Sequence, residues 1–247
     1  ASTLQMTASS FLGFTADRTM RSAQNLYEAG LITYLRTDGI NISTSPNTGE
    51  PFSEENPGPP PLEEIRNVIS EKFGEKFLSE DVRVYKTKVK NSQEAHEAIR
   101  PTNIKTYPEN INLGQDEQKL YTLIWNRTLA SQMSNSQHER KKIVICSSND
   151  KYIFNASSRK TLFEGFETLS KKDSQEIIEF PDSLKEKEEV NLAEFISEQK
   201  FTSPPNRYSE ASLIKKMEEL GIGRPSTYAS TVKGCLLYTS DAADDRV

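Results

Sequence analysis

Apolar side chains recur at helical spacing in four stretches of this chain. The spacing predicts helices over residues 16–29, 62–73, 116–133 and 210–220. Gly30, Gly74 and Gly221 directly follow three of these stretches, and glycine suits the left-handed residue that ends many helices. Ser209 stands where a side chain can cap the first turn of the last helix. The pattern therefore predicts helices towards both ends of the chain.

Shorter β-prone stretches lie between the predicted helices. They predict strands over residues 31–35, 140–148, 151–157 and 190–197. The Ser148-Asn149-Asp150 stretch supplies a turn, so the middle two strands are expected to form a hairpin. Residues 92–99 are polar and are predicted to open a short helix that Pro101 terminates. Residues 43–61 contain many prolines and are predicted to form a surface loop.

Composition narrows the class of protein. With 34% AVILMFWYC and 11 glycines in 247 residues, the apolar share including glycine is roughly 38%, below the ~45–50% of compact domains. This deficit indicates polar connections or pieces of domains. No apolar run approaches a membrane helix, and residues 1–5 lack the basic and apolar parts of a signal peptide. The two cysteines cannot build a zinc site or a disulfide framework. A net charge of −5 argues against coating nucleic acid by bulk charge, but leaves a local cationic cleft open.

The stretch over residues 31–38, LITYLRTD, carries the first candidate chemistry. A tyrosine hydroxyl can act as a nucleophile when its proton is removed and the developing charge is stabilised. In a strand, Arg36 would project to the same face as Tyr34, and a guanidinium binds phosphate oxygens bidentately. The pair is therefore suited to phosphoryl transfer to tyrosine. The alternative is an ordinary buried strand tyrosine beside a surface arginine.

The stretch over residues 91–101 contains one of the two histidines. His96 and Arg100 are four residues apart and would share a face of a helix, where the pair could bind a phosphodiester. A zinc site is not expected, because the helical zinc pattern needs two histidines four residues apart. The alternative is a solvated polar helix with a salt-bridged histidine.

Residues 221–229, GIGRPSTYA, are typical of a glycine-rich turn that leads into a helix. Pro225 suits the first turn of that helix, and a helix N-terminus offers free N–H groups to an anion. Arg224 would lie beside this helix N-terminus, with Ser226 and Thr227 nearby. The alternative is a structural turn between two packed helices.

Together these stretches resemble type IA DNA topoisomerases, in the family's order and at compatible spacing. The likeness is carried by residues 27–38, 92–101, 204–213 and 221–229. Leu35 between Tyr34 and Arg36 is similar to the bacterial topoisomerase I branch. Gly39 and the proline-rich insertion at 46–61 depart from the family pattern.

The resemblance implies a mixed α and β fold that forms part of the family's torus. It implies a helical nucleophile domain (1–134), a β-rich arch segment (135–200) and the start of a helical DNA-binding domain (201–233). Residues 234–247, which include Cys235, depart from the family and are expected to be a non-native tail.

The resemblance also implies a mechanism. Tyr34 would attack a DNA phosphodiester and form a 5′-phosphotyrosyl link. The other strand would pass through the gap before religation, which relaxes negatively supercoiled DNA without ATP. Arg36 would hold and neutralise the scissile phosphate. The implied DNA-binding residues are Thr37, Asp38, His96, Arg100, Arg207, Arg224, Ser226 and Thr227. The expected partners are single-stranded and negatively supercoiled DNA, for a monomer that is not secreted and works in the bacterial cytoplasm or an organelle.

The family binds Mg²⁺ through an acidic Toprim domain that lies N-terminal to the regions matched here. We therefore expect the Mg²⁺ ligands to lie outside this chain, no metal to be bound by it, and an internal fragment that is inactive alone. Two alternatives stay open: a non-catalytic single-stranded DNA-binding module with the same fold, and the core of a reverse gyrase. The gene sequence upstream of Ala1 would distinguish them.

Overall fold

The structure is a computed structural model. It describes residues 1–46, 54–55, 57–86, 97–149, 151–170, 180–181, 183–191, 193–194, 196–224 and 226–235. Within them the helices are α1 (Ser2–Leu12), α2 (Ala16–Glu28), α3 (Pro61–Phe73), α4 (Gln115–Ala130), α5 (Glu210–Leu220) and α6 (228–235). The strands are β1 (Gln137–Cys146) and β2 (Ile153–Phe163). The chain divides into a helical unit, residues 1–134 with residues from 208 onward, and a second unit, residues 135–207.

All four helices expected from the apolar spacing are confirmed, with bounds that shift by a few residues. Local signals start and end them. The Thr15 side chain accepts a hydrogen bond from the Arg18 N–H at 3.2 Å and so caps α2. Gly30 and Gly221 follow α2 and α5 with φ of 70° at each, a backbone conformation that glycine adopts without strain.

The core of the helical unit lies between α1, α2, α3 and α4. Its fully buried apolar side chains include Ala8, Phe14, Leu26, Ile32, Leu35, Ile65, Val68, Ile69, Leu120, Ile124 and Leu129. Each large side chain of this kind contributes roughly 1.5–3 kcal/mol on burial, so these contacts dominate the stability of the unit.

The C-terminal helices pack against the start of the chain. Ile214 and Met217 of α5 join Ala16 in a buried cluster with Tyr228 and Val232 of α6. Two polar links join the same elements. The Glu210 carboxylate accepts from the Ala16 N–H at 2.7 Å, and the Ser2 hydroxyl donates to the Glu218 carboxylate at 2.7 Å.

The second unit contains an antiparallel hairpin, as the sequence predicts, although its strands begin and end at different residues. β1 pairs with β2 in a register that sets Ile145 opposite Phe154 and Cys146 opposite Ile153. The Ser147 N–H donates to the Tyr152 carbonyl at 3.0 Å and closes the turn. Side chains on both faces of the hairpin are largely exposed.

Two expectations about secondary structure, the strands over 31–35 and 190–197, are wrong. Residues 31–35 form a single bridge, between Ile32 and Pro101, and no strand. The expected short helix over 92–99 lies mostly outside the described residues; its described part, residues 97–99, is not helical. The described residues of 190–197 have no strand conformation. In addition, α1 is a helix that the apolar spacing does not predict.

No helix in the described part of the chain is both long enough and apolar enough to cross a membrane.

Candidate active site

The segment that carries Tyr34 is held in place by residues distant in sequence. The Thr33 N–H donates to the Arg100 carbonyl at 2.9 Å, and the Thr102 N–H donates to the Leu31 carbonyl at 3.1 Å. The Thr33 hydroxyl donates to the Ala98 carbonyl at 3.0 Å. Residues 31–33 are therefore fixed against residues 98–102 without a regular strand.

Exposure alternates along this segment. Leu35 is 1% exposed and Thr37 is buried, whereas Tyr34 is 50% exposed and Arg36 is exposed. The two buried side chains anchor the backbone, so Tyr34 and Arg36 are both presented to solvent. Within the described residues, the structure shows no hydrogen bond or ion pair of the Arg36 guanidinium. A tyrosine and an arginine that are both exposed, two residues apart on one anchored segment, form an arrangement that can receive a phosphate.

Thr37 and Asp38 continue the segment towards the interior. The Thr37 hydroxyl donates to the Glu97 carbonyl at 3.0 Å and accepts from the Gly39 N–H at 2.9 Å. The Thr37 backbone carbonyl accepts from the Ala1 nitrogen at 2.7 Å. Asp38 is half-buried. In this structure the Thr37 hydroxyl therefore fixes the turn that follows Arg36.

The Arg100 guanidinium, which the sequence predicts to contact DNA, is bound by groups within the chain. Arg100 is 7% exposed, and its Nε and Nη2 donate to the Glu97 carboxylate at 2.5 and 3.1 Å. Its Nη1 donates to the Pro101 carbonyl at 2.9 Å and to the Thr102 carbonyl at 3.3 Å. The side chain is thus committed to partners within the chain, and a DNA contact for it stays a prediction.

His96 lies outside the described residues. Its neighbour Glu97 is described, and it links three parts of the chain. The carboxylate binds Arg100 and accepts from the Ser43 N–H at 2.9 Å, while the backbone carbonyl accepts from Thr37. Sequence reasoning assigned no role to Glu97, because its long-range partners carry no local signal.

The second group of expected DNA-binding residues lies at the turn before α6. Arg224, Ser226 and Thr227 are exposed, and Pro225 lies outside the described residues. The Thr227 hydroxyl accepts from the Arg224 N–H at 2.9 Å and donates to the Arg224 carbonyl at 3.1 Å, which closes the turn locally. Burial is the largest effect that raises the pKa of Tyr228, the first residue of α6, and the Glu218 charge adds to it, whereas Arg224 lowers it.

The start of α1 lies between the Tyr34 segment and α5. The Ala1 nitrogen contacts Thr37 while the next residue, Ser2, contacts Glu218. The C-terminal turn of α5 is therefore close to Thr37. Arg207 is exposed and belongs to the second unit.

One aromatic contact at the candidate site escaped the sequence reasoning. The rings of Tyr27 and Tyr34 lie with centroids 5.6 Å apart and planes inclined at 69°, an edge-to-face arrangement. Tyr27 lies in the last turn of α2 and is 39% exposed.

A Mg²⁺ ion needs oxygen ligands, such as carboxylates, that lie together around it. The described residues contain no group of three or more His, Cys, Asp or Glu side chains placed to hold a metal. The described part of the chain therefore does not fit a Mg²⁺ site.

The chain was compared with known proteins. Residues 1–237 match the DNA topoisomerase family. DNA topoisomerase 1 of Rickettsia bellii is 44% identical over 244 residues, which cover 93% of this chain and 28% of that protein. DNA topoisomerase 1 of Helicobacter pylori (strain ATCC 700392 / 26695) is 44% identical over 241 residues, or 94% of this chain and 30% of that protein. The chain thus spans under a third of the length of these relatives.

Among solved structures, full-length topoisomerase I from Thermotoga maritima superposes with a TM-score of 0.69 at 38% sequence identity. The match covers 94% of this chain and 36% of that one. This likeness confirms the predicted fold class, a mixed α and β part of a type IA topoisomerase fold.

Proposed function

The chain belongs to the DNA topoisomerase family, in its type IA branch, and from that premise we propose that Tyr34 is the nucleophile of an ATP-independent topoisomerase. The Tyr34 oxygen gives up its proton and attacks the phosphorus of a single-stranded DNA phosphodiester. A bond forms between that oxygen and the 5′-phosphate, the bond to the 3′-oxygen breaks, and the 3′-oxygen takes a proton. The other strand passes, and the 3′-hydroxyl then reverses the step.

One observation carries this proposal. Tyr34 and Arg36 are exposed on a segment whose intervening residue, Leu35, is buried and whose start is fixed by residues 98–102. A nucleophile and a phosphate-binding group are thus presented from one anchored stretch of backbone, which lowers the entropy cost of bringing them to the same phosphate. Arg36 neutralises the charge that develops on the phosphate oxygens.

Each of the remaining site residues is assigned a task. Thr37 and Asp38 shape the pocket behind Arg36, and His96 binds a neighbouring phosphate. Arg207, Arg224, Ser226 and Thr227 guide a single strand to the site, where backbone contacts give affinity without sequence preference. Because the Arg100 guanidinium is held by Glu97 and two carbonyls, we assign it to holding the segment, and its contact with DNA stays a prediction.

The domain assignment is proposed on the same basis. Residues 1–134 are the nucleophile domain, residues 135–200 belong to the arch, and residues 201–233 begin a helical DNA-binding domain. The chain works as part of a longer monomeric enzyme that acts on negatively supercoiled DNA in the compartment that holds the chromosome. Any Mg²⁺ required is held by residues other than those described here.

The test uses a chimeric enzyme in which residues 1–233 replace the matching segment of the Rickettsia bellii relative. The chimeric enzyme is incubated with a labelled single-stranded oligonucleotide, and the adduct that resists denaturation is quantified. Tyr34→Phe removes the attacking oxygen and should abolish the adduct. Tyr152→Phe, an exposed tyrosine of the hairpin unit, should leave it unchanged.

An adduct that survives Tyr34→Phe would reject Tyr34 as the nucleophile. A chimeric enzyme that binds the oligonucleotide without any adduct would favour the non-catalytic DNA-binding module. The chain alone should not relax a supercoiled plasmid in Mg²⁺, and relaxation by the isolated chain would contradict the proposal that it needs the rest of the enzyme.

A further inference from the structure

Tyr27 touches the ring of Tyr34, but the proposed chemistry gives it no task. The ring centroids are 5.6 Å apart and the planes are inclined at 69°. At this distance and angle, the positive edge of one ring faces the negative face of the other, which is a favoured aromatic geometry. The contact is specific in direction as well as in distance, so it favours particular orientations of the Tyr34 ring.

The backbone that carries Tyr27 is rigidly connected to the segment of Tyr34. Tyr27 lies in the last turn of α2, and its carbonyl accepts from the Gly30 N–H at 2.9 Å. The Leu26 carbonyl accepts from the Leu31 N–H at 2.9 Å, and Leu26 itself is buried. With φ of 70° at Gly30, this turn fixes the direction in which the chain leaves α2. The distance between the two tyrosines is therefore set by a hydrogen-bonded turn.

The Tyr34 side chain has freedom that its backbone lacks. The buried neighbours Ile32 and Leu35 hold the backbone, but Tyr34 is half exposed and can rotate about its side-chain torsions. A nucleophile that samples several rotamers spends only part of its time aligned with a phosphate. The Tyr27 ring reduces that sampling by occupying one side of the Tyr34 ring.

We propose that Tyr27 is a positioning residue for the nucleophile, which holds the Tyr34 ring in the orientation from which its oxygen reaches the phosphate. This inference rests on the proposed function. In this role Tyr27 acts through its ring on the ring of Tyr34 and not on the phosphate. It therefore affects the rate of the cleavage step and leaves the affinity for DNA unchanged.

The expected size of the effect on the cleavage rate follows from the strength of the aromatic contact. An aromatic pair of this geometry contributes enough to bias a rotamer equilibrium by about three- to tenfold. Replacing Tyr27 with a non-aromatic residue should slow single-turnover cleavage by about three- to tenfold. Tyr27→Phe keeps the ring and should cleave at nearly the parent rate.

The experiment compares Tyr27→Leu, Tyr27→Met and Tyr27→Phe in the chimeric enzyme. Single-turnover adduct formation is measured at saturating single-stranded oligonucleotide, and affinity is measured in parallel by fluorescence anisotropy. Phe11→Leu is the matched control, because Phe11 is an exposed aromatic residue on α1 of the same unit. Thermal unfolding of each variant establishes that the folded fraction is the same.

We expect slower cleavage in Tyr27→Leu and Tyr27→Met. Tyr27→Phe and Phe11→Leu should cleave at the parent rate, and all four variants should bind the oligonucleotide with the parent affinity. Leu and Met variants that cleave at the parent rate would overturn the proposal. A Phe variant as slow as the Leu variant would also overturn it, because the hydroxyl and not the ring would then be required. A fall in affinity without a change in rate would assign Tyr27 to stacking against a base and overturn it as well. The proposed function itself fails separately, when Tyr34→Phe retains the adduct.

Discussion

Two segments of the helical unit present candidate phosphate-binding groups, and they are built in opposite ways. Residues 31–37 are held by partners about 60 to 70 positions away along the chain, including Ala98 and Arg100. The turn that carries Arg224 is closed by hydrogen bonds between Arg224 and residues three or four positions later. The first segment depends on the folding of the whole unit, whereas the second forms from its own neighbours.

This difference has a consequence for function. A nucleophile has to be aligned with its target to within a fraction of an ångström, and a segment fixed from several directions provides that alignment. A turn that guides a flexible single strand needs only exposed charge and local order. Perturbing the long-range contacts should therefore damage the first segment far more than any single change damages the second.

The largest effect on stability is expected for Arg100→Ala. The substitution leaves the Glu97 carboxylate without its guanidinium partner and two carbonyls without a donor. Because Glu97 is partly exposed, we place the loss below the ~3–5 kcal/mol of fully buried pairs, at about 2–3 kcal/mol in the free energy of unfolding. Chemical denaturation of the chain measures it.

Arg207→Ala is the control for the removal of an arginine. This residue is exposed in the second unit, and its loss should change the free energy of unfolding by less than about 0.5 kcal/mol. Equal effects for the two variants would show that the contacts around Arg100 do not hold the segment.

A smaller effect is expected for Gly223→Ala in the turn before α6. The backbone at Gly223 has φ of 77°, and an added Cβ would meet the Tyr228 ring at 3.2 Å and the Thr227 hydroxyl at 3.3 Å. Strain of the backbone alone should cost about 1–2 kcal/mol. Thermal unfolding should show a corresponding fall in the midpoint.

Gly234→Ala provides the matched glycine in α6. An added Cβ meets nothing within 4 Å there, and the residue is helical, so alanine should be neutral or stabilise by up to about 1 kcal/mol. If Gly223→Ala were as stable as Gly234→Ala, the turn backbone would have adopted another conformation without cost. The local hydrogen bonds would then not determine the conformation of the turn.

The smallest effect is expected for Arg224→Ala on DNA binding by the chain. Loss of one exposed charge should weaken binding to a single-stranded oligonucleotide by about two- to fivefold and reduce the salt slope by about 0.7. Fluorescence anisotropy across a salt series measures both. Arg18→Ala should leave both unchanged, because its guanidinium is occupied by the Asp116 carboxylate at 2.6 and 2.7 Å.

The sequence was sufficient to predict the features that depend on neighbours in the chain. Apolar spacing predicted α2, α3, α4 and α5, and the serine before α5 was identified as its cap, where the Ser209 side chain accepts from the Ser212 N–H. α1 was missed because polar side chains, Ser2 and Gln5, are buried on it, which removes the contrast between its faces.

Features that depend on distant partners were not predictable. The β-prone residues 31–35 form a single bridge because Pro101, opposite Ile32, has no N–H to extend a ladder. The Arg100 guanidinium, which the sequence predicts as a phosphate ligand, is buried against the Glu97 carboxylate and two carbonyls. The positions of these partners depend on the fold. The edge contact of Tyr27 with Tyr34 depends on the direction of the turn at Gly30. The sequence indicated that a turn lies there, but it did not indicate the direction of the turn.

The most direct test of the account is to identify the residue that carries the DNA. The covalent adduct of the chimeric enzyme is trapped, digested with protease and nuclease, and analysed by mass spectrometry. The account predicts a nucleotide joined through its 5′-phosphate to the peptide that contains Tyr34. A linkage through a 3′-phosphate, or through any residue other than Tyr34, would contradict it.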